Sequence, residues 1–241
     1  MYKSYIEGKK AVLFDLDGTI VDTHDLYMQA FSKVLSNIGE VGAVTEEELE
    51  AGTSEEKKWK SILNQNDFKN ARKIPTNELV KQTCSIFMQL FLESERDAKD
   101  GFWETLSYLK NQAKMKVGLT TNTRREITDQ ILKKLGLDTA FDLVICGDEV
   151  KREKPHPEMY AKALKTLGLT AQEVLVFEDS IVGFTAAKKA GIEQIIIWDG
   201  KIHRDAYRGG AILNFMEDFM PLVGNLDKTY AESLQETLKD M

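Results

Sequence analysis

The sequence predicts an α/β fold in which a doubly wound parallel sheet is interrupted by a small all-helical insert. From about residue 100 onward, short runs rich in valine, isoleucine and leucine alternate with segments of helical periodicity. This alternation is typical of right-handed βαβ units, which build a parallel sheet covered on both faces. A run of the same kind, KAVLFD, lies near the N-terminus, and a long helical stretch follows it. We therefore expect a core made of residues 1–21 and 96–241, and a helical insert at residues 22–95.

The elements follow in order along the chain. The predicted strands are KAVLFD, KVGLTTN, FDLVICGD, EVLVFED and QIIIWD. The helices expected between the later strands are FWETLSYLKNQ, REITDQILKKLG, PEMYAKALKTLG and IVGFTAAKKAG. In the insert, helical spacing occurs in SKVLSNI, EEELEAG, EEKKWKSILNQ and ELVKQTCSIFMQLFLES. The segment after Gly224 is predicted to be a polar amphipathic helix.

Composition and charge exclude some classes of partner. The 241 residues carry a net charge of −7, which argues against nucleic acid as a partner because phosphate binding needs a basic surface. The same charge does not exclude an anionic substrate, since a metal or a few lysines can invert the field locally. Cys84 and Cys146 lie among apolar neighbours without metal-ligand spacing, so we expect small buried side chains in a reducing compartment. The sequence shows neither a signal peptide nor a long apolar run, and we expect a cytoplasmic protein with no membrane partner.

Polar side chains stand where three predicted strands end. Asp15 and Asp17 follow the first strand, and two similar pairs, Thr121 with Asn122 and Glu178 with Asp179, end KVGLTTN and EVLVFED. Doubly wound sheets bind ligands outside the carboxyl ends of their strands. Carboxylates gathered there would repel one another unless a hard cation such as Mg²⁺ lay among them. The alternative interpretation is local: Asp and Gly form turns, and Asp179 or Ser180 caps a helix.

Lys154 differs from the neighbouring surface cations. It precedes a Pro-X-Pro sequence, which restricts the local backbone, just before a predicted helix. Held at the same edge of the sheet, its ammonium could neutralise a phosphoryl group and offset the repulsion between carboxylates. Thr121 could add its hydroxyl, and the first amides of the helix REITDQ could add N–H donors.

These motifs together resemble a known family. DLDGT at residues 15–19, TTN at 120–122, KPHP at 154–157 and EDSIVGFTAAKKAGI at 178–192 are similar to the sequence motifs of the haloacid dehalogenase superfamily. The helical insert after the first motif resembles the cap of the subgroup that includes phosphoglycolate phosphatases and β-phosphoglucomutases. The resemblance covers nearly the whole chain.

The resemblance implies a role for each motif residue. Asp15 would attack phosphorus and form an aspartyl phosphate, and Asp17 would protonate the leaving oxygen and then activate water. Mg²⁺ would be bound by the Asp15 carboxylate, the Asp17 carbonyl and the Asp179 carboxylate, with Glu178 acting directly or through water. The phosphoryl group would be bound by Thr121, Asn122 and Lys154. The implied activity is a Mg²⁺-dependent phosphatase acting on a small phosphomonoester.

Other activities stay open at this point. A dehalogenase would not need Asp17, and a phosphonatase-like use of a cap lysine is disfavoured because Lys57, Lys58 and Lys60 have the pattern of a solvated helix face. A phosphomutase would need a cation in the cap loop where this chain has Glu55 or Glu56, so we expect an acidic cap edge that disfavours a second anionic group. A non-catalytic binding protein is the remaining alternative.

The sequence predicts a small phosphorylated metabolite as the partner and does not specify it further. Cap residues would select it, and His24 and Tyr27 are candidates to face the substrate, with a packing or hinge role as the alternative for each. Trp59 and Trp103 are expected in the core. The oligomeric state is not readable, and a monomer is the working expectation.

Overall fold

The computed structural model describes residues 2–42 and 44–224 and has the predicted architecture of a doubly wound α/β protein. The described strands are all parallel and pair in the order β3-β2-β1-β4-β5-β6. Their bounds are β1 Ala11–Phe14, β2 Lys116–Thr120, β3 Leu143–Ile145, β4 Val174–Glu178, β5 Glu193–Ile197 and β6 Ile212–Met216. The first strand therefore lies between β2 and β4, although both follow it by a hundred residues or more in the sequence.

Helices cover the sheet and form the insert. Their bounds are α1 Tyr2–Ile6, α2 His24–Asn37, α3 Glu55–Gln65, α4 Thr76–Glu93, α5 Phe102–Ser107, α6 Arg125–Lys134, α7 Glu158–Leu167, α8 Ile181–Lys189 and α9 Met220–Val223. A π-helical turn, Tyr108–Gln112, continues α5. Among the described residues, no helix combines the length and apolar character that a bilayer crossing requires.

The central strands are buried on both faces, which explains their continuous apolar sequences. The ring of Phe14 in β1 stacks on Phe177 in β4 with centroids 5.0 Å apart. It also packs edge-on against Phe102 of α5 at 5.5 Å. The core of the sheet therefore holds the end of β1 in a rigid position, directly before Asp15.

Helices α2, α3 and α4 lie between β1 and α5 in the chain, where the sequence predicts the insert. They pack on one another through aromatic side chains, and Trp59 is fully buried between them, with its indole N–H donating to the Thr83 hydroxyl at 3.0 Å. The core position expected for Trp59 is thus confirmed. The boundaries at residues 21/22 and 95/96 stay predictions.

Some local expectations differ from the structure. The segment EEELEAG forms turns and not a helix, because its single turn at residues 46–48 is not continued and Gly52 turns the chain with φ 75°. Strand β6 was not predicted, since it is a half-buried edge strand interrupted by Asn214. Cys84 is only partly buried, whereas Cys146 is buried as expected. The helix predicted after Gly224 lies outside the described residues.

Candidate active site

The polar strand ends converge at one edge of the sheet. β1 pairs with β2 on one side and with β4 on the other, so the order of the strands reverses around β1. Asp15 continues β1, and its amide donates to the carbonyl of Phe177 at 3.0 Å. Thr121 follows β2, while Glu178 ends β4 and is followed by Asp179. This is the crevice in which doubly wound proteins bind their ligands.

Lys154 is buried at the centre of this crevice, with 1% of its surface exposed. Its ammonium donates to Asp15 Oδ1 at 2.7 Å, to Glu178 Oε1 at 2.5 Å and to the carbonyl of Thr120 at 2.8 Å. The structure therefore brings Lys154 next to the carboxylates, as the sequence predicts. All three N–H donors of the ammonium have acceptors within the protein.

Burial and charge shift the ionisation of these groups. Burial by itself lowers the pKa of Lys154, but the charges of Asp15 and Glu178 outweigh it and raise that pKa well above its usual range. Burial raises the pKa of Asp179, and the charges of Asp15 and Glu178 raise it further. Burial also raises the pKa of Asp15, against the opposing charge of Lys154. The lysine is charged, and the carboxylates are crowded beyond what one ammonium can neutralise.

The crowded carboxylates fit a divalent metal ion. Oxygen atoms of Asp15, Glu178 and Asp179 lie within 4.8 Å of one another. Lys154 pairs with the first two, but no lysine or arginine in residues 2–42 and 44–224 forms an ion pair with Asp179. Oxygen donors and surplus negative charge are what a hard divalent cation requires. Asp179 is also only partly buried, so its carboxylate can reach the crevice.

The carboxylate of Glu178 accepts hydrogen bonds from hydroxyl groups in addition to the bond from Lys154. The hydroxyl of Tyr160 donates to Glu178 Oε1 at 2.7 Å, and the Ser180 hydroxyl approaches Oε2 at 3.4 Å. Gly183 permits this arrangement, because a Cβ there would lie 2.0 Å from the Glu178 carboxylate. The sequence predicts Glu178 as a metal ligand, direct or through water; in the structure Oε1 bonds to Lys154 and Tyr160.

The carboxylate of Asp17 is oriented separately from the carboxylates of Asp15, Glu178 and Asp179. Its Oδ1 accepts from the Thr23 hydroxyl and its Oδ2 from the Thr123 hydroxyl, both at 2.6 Å. The turn between Asp15 and Thr19 depends on Gly18, whose φ is 86° and whose Cβ position would lie 2.2 Å from an Asp179 oxygen. The two aspartates of the DLDGT motif therefore have different surroundings.

The predicted phosphoryl-binding residues have distinct environments. The Thr121 hydroxyl oxygen accepts from the amide of Thr123 at 3.1 Å, so its hydrogen remains available to a ligand. Asn122 is instead occupied within the protein: Oδ1 accepts from the Lys154 amide at 3.0 Å, and Nδ2 donates to the carbonyls of Gly52 at 2.7 Å and Lys154 at 3.1 Å. In the structure Asn122 positions the backbone of Lys154 and contacts the insert.

The first amide of α6 was also expected to bind a phosphoryl group. In the structure the amide of Arg125 donates to Asp148 Oδ1 at 2.9 Å. That donor is therefore already satisfied by the protein, because the loop after β3 folds against the start of α6.

Several residues of the site were not predicted. Thr23 and Thr123 hold Asp17, Tyr160 holds Glu178, and the Tyr207 hydroxyl donates to the carbonyl of Asp179 at 2.5 Å. Thr123 directly follows the TTN motif and Thr23 lies four residues after DLDGT, so their nearness to the motifs is the signal that the sequence offers. The others lie on helices and loops whose orientation toward the site depends on tertiary packing.

The edge of the insert differs from the expectation. Lys58 is 7% exposed and packs over the ring of Tyr27, so it is not part of a solvated helix face, although Lys57 and Lys60 are exposed as expected. Glu55 is 3% exposed and accepts the Tyr27 hydroxyl at 2.9 Å. The expected acidic cap edge is therefore reduced, because Glu55 is buried beneath Tyr27.

Fold and site together define a class of protein: a doubly wound α/β core, a helical insert after the first strand, and buried carboxylates and a lysine at the switch point of the sheet. A model of the haloacid dehalogenase-like hydrolase family matches residues 12–197. The chain belongs to this family, and the resemblance seen in its motifs is confirmed.

Individual relatives give more detail. The chain is 31% identical to the phosphorylated carbohydrates phosphatase of Thermotoga maritima over 77% of this chain and 83% of the relative. It is 29% identical to the pyrophosphatase PpaX of Bacillus mycoides over 90% of this chain and 97% of the relative. Among solved structures it is similar to CbbY from Rhodobacter sphaeroides in complex with phosphate, with a TM-score of 0.80, 24% identity, and coverage of 89% of this chain and 96% of that one. The similarity to CbbY shows that the two proteins share a fold.

Proposed function

We propose that this protein is a Mg²⁺-dependent phosphatase that hydrolyses a small phosphomonoester through an aspartyl phosphate. The observation that carries the proposal is the group formed by Asp15, Glu178 and Asp179, with oxygens within 4.8 Å of one another and Lys154 bonded to two of them. Phosphoryl transfer depends chiefly on positioning and on neutralising charge, and this group supplies both.

Asp15 is the proposed nucleophile. It continues a strand that is buried on both faces, so its position is rigid, and Lys154 fixes Oδ1. Oδ2 is then the oxygen free to attack phosphorus. Mg²⁺, bound by Asp15 and Asp179 with the Asp17 carbonyl and Glu178, would neutralise charge on the phosphoryl oxygens. The Thr121 hydroxyl donates to one of these oxygens, and Lys154 lowers the repulsion between Asp15 and the incoming anion.

Asp17 is the proposed acid and base. It gives a proton to the leaving alkoxide as the bond between phosphorus and that oxygen breaks, and it then takes a proton from the water that attacks the aspartyl phosphate. Thr23 and Thr123 fix both of its oxygens, and each hydroxyl can rotate to accept when Asp17 is protonated. The presence of Asp17 favours phosphoryl transfer over dehalogenation.

The relatives support a phosphatase over a phosphomutase. The two relatives described above bear the names of a phosphatase and a pyrophosphatase. A β-phosphoglucomutase from Clostridium difficile shares the fold, with a TM-score of 0.73 and 20% identity. We further propose that residues 22–95 form the cap that encloses a small phosphorylated metabolite.

A release assay for inorganic phosphate tests the proposal. The wild-type protein should release phosphate from a panel of small phosphomonoesters in Mg²⁺ and should stop when EDTA is added. Asp15→Asn should be inactive, whereas Asp17→Asn should bind Mg²⁺ in calorimetry but turn over slowly. Equal phosphate release by the wild type and Asp15→Asn would refute the mechanism. A mutase would give an isomerised sugar phosphate with little free phosphate.

A further inference from the structure

The side chain of Asp179 is held less tightly than those of Asp15 and Glu178. The Lys154 ammonium donates to Asp15 at 2.7 Å and to Glu178 at 2.5 Å, so a strong charged hydrogen bond fixes each of these carboxylates. Among the described residues, the carboxylate of Asp179 accepts one hydrogen bond, a long one of 3.3 Å from the Thr19 hydroxyl. The position of this carboxylate therefore depends on how firmly its main chain is held.

The carbonyl of Asp179 lies between two regular elements. Strand β4 ends at Glu178, and the first amide bond of α8 runs from Phe184 to the carbonyl of Ser180 at 2.9 Å. The Asp179 carbonyl therefore belongs neither to the sheet ladder nor to the helix. The hydroxyl of Tyr207 supplies a donor, at 2.5 Å. A side chain from the connection between β5 and β6 thus fixes the peptide group that carries the carboxylate.

Tyr207 is itself rigidly placed. It is 6% exposed, and its ring packs edge-on against Phe184 of α8 at 5.4 Å and against Phe215 of β6 at 5.6 Å. The Lys188 ammonium donates to the carbonyl of Arg208 at 2.7 Å and so ties the same connection to α8. The ring contacts do not involve the hydroxyl, so a phenylalanine at this position would keep them.

A fixed main chain at Asp179 matters because its carboxylate lies among like charges. Oxygens of Asp15, Glu178 and Asp179 lie within 4.8 Å of one another, and their repulsion pushes Asp179, the carboxylate that Lys154 does not bond, away from the group in the metal-free protein. A main chain that yielded to this repulsion would have to return when a metal binds, and the cost of that return would weaken binding.

We propose that Tyr207 is a positioning residue for the metal site: its hydroxyl holds the main chain of Asp179 so that the carboxylate stays in place for a divalent cation in the metal-free protein. This inference rests on the proposed Mg²⁺-dependent function. Partners that orient metal ligands in this way tune the affinity of a site without contacting the ion.

Tyr207→Phe tests the assignment, since it removes the hydroxyl and keeps the ring. The Kd for Mg²⁺ in calorimetry should rise roughly 3- to 10-fold, as expected for the loss of one net hydrogen bond. The Mg²⁺ concentration that gives half-maximal phosphate release should rise by the same factor, while kcat at saturating Mg²⁺ should stay within about twofold of the wild type. A purely packing role for Tyr207 would lower Tm and leave the affinity for Mg²⁺ unchanged.

A double-mutant cycle in EDTA tests the physical cause without metal. In the wild type, removing the hydroxyl loses a hydrogen bond but lets the Asp179 carboxylate move away from its neighbours, so the two effects oppose each other. In Asp179→Asn no charge is left to relieve. Tyr207→Phe should therefore lower Tm less in the wild type than in Asp179→Asn. Equal losses in both backgrounds would contradict the proposed restraint of a repelled carboxylate.

Tyr5→Phe is the matched control. It removes another tyrosine hydroxyl at the same side of the sheet, one that accepts from Asn214 Nδ2 of β6 at 3.1 Å. Its affinity for Mg²⁺ should equal that of the wild type. The inference is wrong if Tyr207→Phe binds Mg²⁺ as tightly as the wild type, or if Tyr5→Phe weakens binding to the same extent. If the wild type itself binds no Mg²⁺, the proposed function fails and the inference falls with it.

Discussion

Replacing Asp179 by asparagine should stabilise the metal-free protein and abolish its response to Mg²⁺. In the structure this carboxylate lies within 4.8 Å of those of Asp15 and Glu178 and has no cationic partner among the described residues. Asparagine keeps the shape of the side chain and the acceptor for the Thr19 hydroxyl at 3.3 Å, but it removes the charge. The variant therefore removes the charge repulsion at position 179 and leaves the packing of the side chain unchanged.

The size of the effect follows from the distances. At 4.8 Å and an effective dielectric constant of about 20, each carboxylate pair repels by roughly 3.5 kcal/mol. Asp179 has two carboxylate neighbours, Asp15 and Glu178, and the attraction of the Lys154 ammonium offsets the repulsion from about one of them. Because Asp179 is partly exposed, solvent screening lowers the remainder to about 1–2 kcal/mol. For a chain of this length that corresponds to a rise in Tm of roughly 2–8 °C in EDTA.

The dependence on pH has a definite sign. Burial and neighbouring carboxylates raise the pKa of Asp179 above its unfolded value of about 3.9. The folded state therefore keeps the Asp179 proton to a higher pH than the unfolded state does. The ionised carboxylate lowers the free energy of unfolding increasingly as pH rises above the unfolded pKa. The advantage of Asp179→Asn should be present at pH 7.5, smaller at pH 5, and absent below about pH 3, where the carboxyl is protonated in both states.

Thermal melts in EDTA and in MgCl₂ measure both effects. At a Mg²⁺ concentration 100 times Kd, the wild type should gain about 2.7 kcal/mol, while the variant should gain little. Asp138→Asn, at an exposed position outside the site, is the control and should behave as the wild type. A lower Tm for Asp179→Asn in EDTA, or a wild-type Tm that Mg²⁺ does not change, would contradict the view that the cluster is built for a cation.

Two further predictions concern the supports of the site. Gly183→Ala places a Cβ 2.0 Å from the Glu178 carboxylate and should cost about 3 kcal/mol or more in the free energy of unfolding, measured by urea titration; an unchanged midpoint would contradict the close approach. Thr123→Val removes a 2.6 Å hydrogen bond to Asp17 and should lower kcat roughly tenfold without changing Mg²⁺ affinity. A weakened Mg²⁺ affinity in calorimetry would show that Asp17 is not oriented separately from the metal ligands.

Local patterns were informative for the core and less so for the insert. The strands of the core were predicted because buried parallel strands are continuous apolar runs bounded by polar residues, as in β1 and β4. The spacing of EEELEAG predicts a helix, but so short a helix is marginal, and the structure forms only turns before Gly52, whose φ is 75°. β6 escaped prediction because an edge strand need not be apolar on both faces.

In the candidate site, too, some residues could be placed from the sequence and others could not. Asp15, Thr121 and Asp179 could be placed from sequence, since residues that end parallel strands must meet at one edge of the sheet. Asn122 was expected to bind substrate, yet it holds the backbone of Lys154, because its side chain is surrounded by carbonyls and an amide of other segments. Tyr160 could not be identified from its position on an amphipathic helix.

The sequence by itself determined the family, the parallel sheet and the residues that end its strands, because these depend on periodicity and short motifs. Only the tertiary structure decided which charges meet. Lys154 is 139 residues from Asp15 in the chain, and their 2.7 Å contact depends on how β1 and the segment before α7 pack. Likewise, Lys57, Lys58 and Lys60 look alike in the sequence, but packing against Tyr27 buries Lys58, whereas Lys57 and Lys60 are exposed.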